Sequence, residues 1–79
     1  MNPAIAFGQA LRHFRTKLKI SQERLSQESG LDRSYISLLE RGLRQPSLTT
    51  ILLLAKALNS SSLELISEVE KVLNENNKD

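Results

Sequence analysis

The sequence predicts an all-α protein, and three observations predict it. Apolar residues recur at helical spacing through most of the 79 residues. Strand signals are nearly absent: the aromatics are Phe7, Phe14 and Tyr35 alone, no alternating run exceeds a few residues, and no Asn-Gly or Asp-Gly hairpin turn occurs. Short polar residues stand before the periodic stretches and glycine or asparagine stands after most of them, which is how helices are punctuated.

Five helices follow in order. The first is expected from about Ala4, behind Pro3 at a position that tolerates proline, to about Leu18, with Phe7, Ala10, Leu11, Phe14 and Leu18 as its stripe. Ser21 caps the second, and Ile20 and Leu25 flank that cap at the spacing of a hydrophobic staple. Gly30 ends this short helix, since a left-handed residue there costs glycine little. Asp32 caps the third helix, whose inward face is Ile36 and Leu39 with Tyr35 nearby, and Gly42 stops it. A loop through Pro46 leads to Ser47, cap of a fourth helix expected to turn Leu48, Ile51, Leu52, Ala55 and Leu58 inward. Asn59 closes it. Ser61 and Glu64 have capping-box spacing for a fifth helix over about 62–73, before a polar, frayed tail over 74–79.

Composition removes several function classes. With no cysteine there is no disulfide framework, thiolate metal site or redox motif, which fits a reducing cytoplasm. A single histidine, His13, would leave a transition-metal site to carboxylates, so no metal or other cofactor is expected. The longest apolar run, Ile51 to Ala55, falls far short of the roughly 20 residues of a membrane span. No basic residue precedes Arg12 and no apolar core follows it, so no signal peptide is expected. Ser34 finds neither base nor orienter in His13 or Asp32, so the reading is not an enzyme. One cytoplasmic domain over 1–79 remains, with a core thin enough that oligomerisation is its natural reinforcement.

Charge is unevenly spread. Residues 1–58 carry nine Lys/Arg against four Asp/Glu, whereas 59–79 carry two against five. A basic body with an acidic tail suggests a polyanion-binding face and a second face with another task.

Helices over about 22–29 and 33–41, joined by Gly30-Leu31-Asp32, have the size and punctuation of a helix-turn-helix, in which the second helix enters the major groove. Arg33, Ser34 and Ser37 point outward from its start, Tyr35 does so in part, and Arg41 lies lower down. Arginine can pair with guanine O6 and N7, and serine or tyrosine hydroxyls can reach bases or phosphates. Gln22 can offer its amide, beside the helix N–H groups, to a phosphate. Arg44 and Gln45 follow in the loop, placed to grip the backbone. The fifth-helix stripe Leu65, Ile66, Val69, Val72 and Leu73 runs past one packing contact and points to a homodimer, with two reading helices one DNA turn apart on a pseudo-palindromic site.

The run Ser21-Gln22-x-x-Leu25-Ser26-x-x-Ser29-Gly30-Leu31-Asp32-Arg33-Ser34-Tyr35-Ile36-Ser37-x-Leu39-Glu40-Arg41-Gly42-x-x-x-Pro46-Ser47-Leu48 resembles the helix-turn-helix of the lambdoid repressor and Cro (XRE-like) family. The likeness extends through Leu-Ala-Lys-Ala-Leu-Asn at 54–59 and implies a five-helix, lambda-repressor-like domain. Within that family the Leu-Asp-Arg-Ser-Tyr-Ile-Ser stretch is similar to controller proteins of restriction–modification systems, regulators of their own gene and the endonuclease gene. The resemblance implies base reading by Arg33 and Ser34 with Tyr35 and Ser37 beside them, and a phosphate contact by Gln22. It further implies a structural ion pair between Arg15 and Glu40, and for Glu23 a surface position that some activators use to touch RNA polymerase. Lys19 stands where the family has glycine, so that turn must hold a strained lysine or adopt another geometry. No small-molecule effector is expected. An antitoxin or prophage repressor shares the fold and remains an alternative. A helical protein-interaction module without a DNA role is the alternative from another class, and Arg33, Ser34 and Gln22 argue against it.

Overall fold

Short polar side chains set where the helices begin. A computed structural model describes residues 1–76 as α1 (Pro3–Lys17), α2 (Gln22–Ser29), α3 (Arg33–Glu40), α4 (Leu48–Ala57) and α5 (Ser62–Asn76). Asn2 Oδ1 accepts from the Ile5 N–H at 2.9 Å, Ser21 Oγ from Arg24 at 3.0 Å and Ser47 Oγ from Thr50 at 3.1 Å. Each satisfies an amide that the helix itself leaves unpaired. At α5, Ser61 Oγ accepts from the Glu64 N–H while Glu64 Oε1 accepts from that of Ser61, a complete capping box. Asp32 departs from expectation: its backbone is extended as a cap requires, but its exposed carboxylate makes no hydrogen bond to the first turn of α3. What it gives that helix is negative charge near the positive end of the dipole.

Three helix ends share one geometry. The N–H of Ile20, Leu43 and Ser60 donates to the carbonyl of Arg15, Leu38 and Ala55, and the residue before each bonds one turn back to Thr16, Leu39 and Lys56. This doubly bonded exit requires a left-handed residue between helix and loop. Gly42 takes it at φ 74°, Asn59 at φ 53° and Lys19 at φ 59°. Asparagine tolerates that region and glycine suffers nothing there. Lysine does not, so the turn between α1 and α2 holds a strained residue, the first of the two expected alternatives.

The core draws on every helix: Ala6, Phe7, Ala10 and Leu11 of α1, Leu25 of α2, Ile36 and Leu39 of α3, Leu54, Ala55 and Leu58 at α4, and Leu65 and Val69 of α5. Helix α1 lies centrally, packed against both α5 and α3, while α2 packs on α3 and α4. Gly8 makes the α1–α3 approach possible, because a Cβ there would collide with the backbone at Leu39 and Glu40.

The inward faces of two helices differ from expectation. Leu18 is 45% exposed because α1 ends at Lys17 and its side chain lies past the edge of the packed stripe. In α4, Leu48 is 71% and Leu52 50% exposed, whereas Leu54 is fully buried. The buried stripe is Ile51, Leu54, Ala55 and Leu58, at i, i+3, i+4 and i+7. Leu52 falls to its flank, and Leu48 is in phase with it but lies in the first turn, beyond the core. Helix α5 also runs on to Asn76, so the tail expected to fray over 74–79 is helical through 76, and 77–79 lie outside the described residues. Among the described residues no helix is long and apolar enough to cross a membrane, and no acidic, His or Cys cluster could hold a metal ion.

Candidate DNA-binding face

The α2–α3 turn is tied internally by serine. Gly30 ends α2 at φ 78°, Ser26 Oγ donates to the Leu31 carbonyl, and the Leu31 N–H donates to Ser29 Oγ at 3.2 Å. Leu25, Ile36 and Leu39 anchor both helices from beneath. With its inner side fixed, α3 turns Arg33 and Ser34 into solvent and leaves Ser37 half-buried. Gln22, Arg33, Ser34 and Ser37 line one shallow surface notch, so the start of α2 and the outer face of α3 form one continuous surface.

Tyr35 lies apart from that notch, half-buried toward α4. Its hydroxyl is 3.3 Å from Thr50 Oγ1, which lies 3.0 Å from Ser47 Oγ, and the Arg44 guanidinium sits 5.9 Å from the centre of its ring. Tyr35 therefore links α3 to the start of α4, and Arg44 joins it by a cation–π contact. Arg41 folds back along α3, its Nε donating to the Ser37 carbonyl at 3.3 Å. Gln45 is exposed in the loop, and Glu23 is exposed in the first turn of α2.

Beneath the notch, Arg15 and Glu40 form a two-pronged ion pair: Nε to Oε2 at 2.6 Å and Nη2 to Oε1 at 3.0 Å. Their side chains are 13% and 4% exposed, and Arg15 Nη1 also donates to the Ile20 carbonyl at 2.9 Å. The hydrogen bond to Glu40 holds the guanidinium above its ordinary pKa against the opposing effect of burial. Gln22 Nε2 donates to the same Glu40 Oε1 at 3.0 Å. One carboxylate thereby joins α1, α2 and α3.

The fifth-helix stripe divides. Leu65 is fully buried and Val69 nearly so within the chain's own core, so neither has appreciable surface to offer a partner. Ile66, Val72 and Leu73 remain half-exposed. Burial corrects the expectation for the first two, because α5 must cover α1 before it can meet anything else.

Two residues of consequence, Thr50 and Gly8, escape the sequence reading. Ser47-x-x-Thr50 has the cap-to-third-residue spacing that could have signalled the bond between them, but its link to Tyr35 is a tertiary contact. Gly8 sits inside a helical stripe, where glycine otherwise only weakens the helix, and that cost was the available sign of a close approach.

Residues 11–66 match the family described as Helix-turn-helix. The chain is 44% identical over 57 residues to control protein C.SmaI of Serratia marcescens, covering 72% of this chain and 68% of that one. It is 42% identical over 66 residues to control protein C.BamHI of Bacillus amyloliquefaciens, covering 82% of each. Among solved structures it is similar to the restriction–modification controller protein C.AhdI from Aeromonas hydrophila, with a TM-score of 0.76 and 52% identity over 78% of this chain and 94% of that one. The controller protein C.Esp1396I, solved as a tetramer in complex with its natural 35 base-pair operator, gives a TM-score of 0.84 at 26% identity, covering 91% and 95%.

Proposed function

This chain belongs to the helix-turn-helix family of DNA-binding transcriptional regulators, proteins of the controller type rather than enzymes, and from that premise we propose that it acts as a homodimer on a pseudo-palindromic operator controlling its own gene and a restriction endonuclease gene. The carrying observation is the shared notch of Gln22, Arg33, Ser34 and Ser37, in which the Gln22 amide lies beside hydroxyl and guanidinium donors at the start of α3.

Arg33 reads a guanine edge, and Ser34 and Ser37 approach neighbouring bases. Tyr35, half-buried between α3 and α4, joins them through its hydroxyl, the group that also meets Thr50. Gln22, Arg41, Arg44 and Gln45 hold the backbone, Arg44 braced on the Tyr35 ring. Ile66, Val72 and Leu73 supply the apolar contact between protomers, with Leu65 and Val69 supporting them from within. A two-fold axis there sets the two α3 helices about 34 Å apart. The exposed Glu23 is the side chain this reading offers to RNA polymerase. Support for assembly on DNA comes from the C.Esp1396I tetramer on its operator.

The test is selection of binding sites from random duplex DNA at low and high salt. A pseudo-palindrome whose affinity falls as salt rises is the expected result. Recovery of no preferred sequence would remove α3 as the reader.

A further inference from the structure

Glu40 has a task that a structural ion pair leaves unexplained. An ion pair between α1 and α3 needs only Arg15 and Glu40, yet Oε1 of that carboxylate also takes Nε2 of Gln22, the side chain at the rim of the notch. An ionised carboxylate accepts and cannot donate, so it dictates which way the glutamine amide faces. The nitrogen must turn toward Glu40. The second N–H and Oε1 are then left for whatever lies outside.

We propose that Glu40 is a positioning residue for DNA binding, holding the Gln22 amide in one orientation so that its remaining N–H is ready for a backbone phosphate before DNA arrives. A free glutamine would have to choose both rotamer and flip at the moment of contact, and fixing these beforehand reduces the ordering cost of binding. Arg15 takes part indirectly. Its two bonds to Glu40 and its bond to the Ile20 carbonyl fix the carboxylate, and Ile20 lies two residues from Gln22 in the chain. The inference rests on reading Gln22 as a phosphate contact.

The experiment is a double-mutant cycle on affinity for two duplexes of equal length, the selected operator and a random sequence, at one salt concentration where every variant is folded. Gln22→Ala should weaken both duplexes about three- to tenfold, because a phosphate contact carries no sequence information. In a Glu40→Gln background, where residue 40 no longer dictates the flip, the same change should cost less than about twofold. Arg15→Lys is the control for a merely structural role: one ammonium cannot make both bonds to Glu40, so Tm falls, but the carboxylate stays charged and still accepts from Gln22, so most of the Gln22→Ala effect should persist.

A measurement on the unaltered protein covers the case in which Glu40→Gln does not fold. One Gln22 side-chain amide proton should be protected from exchange in NMR spectra of the free chain. Freely exchanging protons there, or a Gln22→Ala loss undiminished beside Glu40→Gln, would overturn the positioning role while leaving Gln22 a phosphate contact. If both duplexes bind but Gln22→Ala changes neither, Gln22 touches no phosphate and the proposal falls with that assignment. If neither duplex binds, the DNA-binding reading fails first.

Discussion

Gly8 and Glu40 meet backbone to backbone: a Cβ on Gly8 would lie 2.6 Å from the Glu40 carbonyl oxygen and closer still to that of Leu39. Alanine in a helix interior ordinarily gains up to about 1 kcal/mol over glycine. Here it must force α1 away from α3, and overpacking against backbone costs about 1–3 kcal/mol. Gly8→Ala should therefore destabilise the fold, lowering Tm by about 4–8 °C for each kcal/mol lost. A rise in Tm would mean that the helices part without cost.

Lys19 points the other way. Held at φ 59°, it bears a left-handed strain of about 1–2 kcal/mol that glycine would escape. Greater freedom of glycine in the unfolded chain returns about half of that. Urea denaturation of Lys19→Gly should show a midpoint shifted upward with the slope unchanged, a gain of about 1 kcal/mol. The same replacement at Asn59 should gain less, because asparagine already tolerates the region.

Arg33→Ala should relax base preference at one position in each half-site, losing about 1–3 kcal/mol of discrimination there. Binding selection on the variant reads this directly. Unchanged preference at every position would assign reading to another side chain.

Tyr35→Phe and Thr50→Val break the same hydroxyl contact from its two ends. Each should cost the fold about 1 kcal/mol. Their effects on operator affinity should diverge: Tyr35→Phe removes a group available to DNA and weakens binding about three- to tenfold, while Thr50→Val leaves that hydroxyl in place and changes affinity less than about twofold. Equal effects in titrations of the two variants would confine the tyrosine hydroxyl to a structural role.

Ile66→Asp should yield folded monomers in sedimentation, with helical circular dichroism retained, because Ile66 is only half-buried in the protomer. Leu65→Asp should unfold the chain outright, since that side chain is wholly within the core and a buried carboxylate finds no partner there. A dimer that persists in Ile66→Asp would move the interface to another face, with the exposed Leu48 and Leu52 of α4 the next to examine.

What the sequence disclosed follows from what is local. Ser21, Ser47 and the Ser61–Glu64 box act within one helical turn, and each stands where spacing alone puts it. The turn through Gly30 was legible for the same reason. Helix α4 was less so, because leucine at 48, 52, 53 and 54 gives several overlapping stripes, and only the position of its neighbours selects one. In α5, a stripe of five apolar residues did not say which of them the chain's own core would take. Tyr35 and Gln22 were placed correctly on their helices, but their bonds to Thr50 and Glu40 join residues 15 and 18 positions apart, a separation at which spacing carries no signal.

The hydroxyl chain from Tyr35 through Thr50 to Ser47 bears on how far α3 can be exchanged as a part. Grafting the α3 of a relative into this body, from 33 to 41 alone, would leave Thr50 and Arg44 facing a side chain they were not paired with. The transferable cassette is the longer stretch from Arg33 to Thr50, loop included. Chimeras cut at that boundary keep the Tyr35–Thr50–Ser47 link and the Arg44 contact whole, whereas those cut at Gly42 sever both.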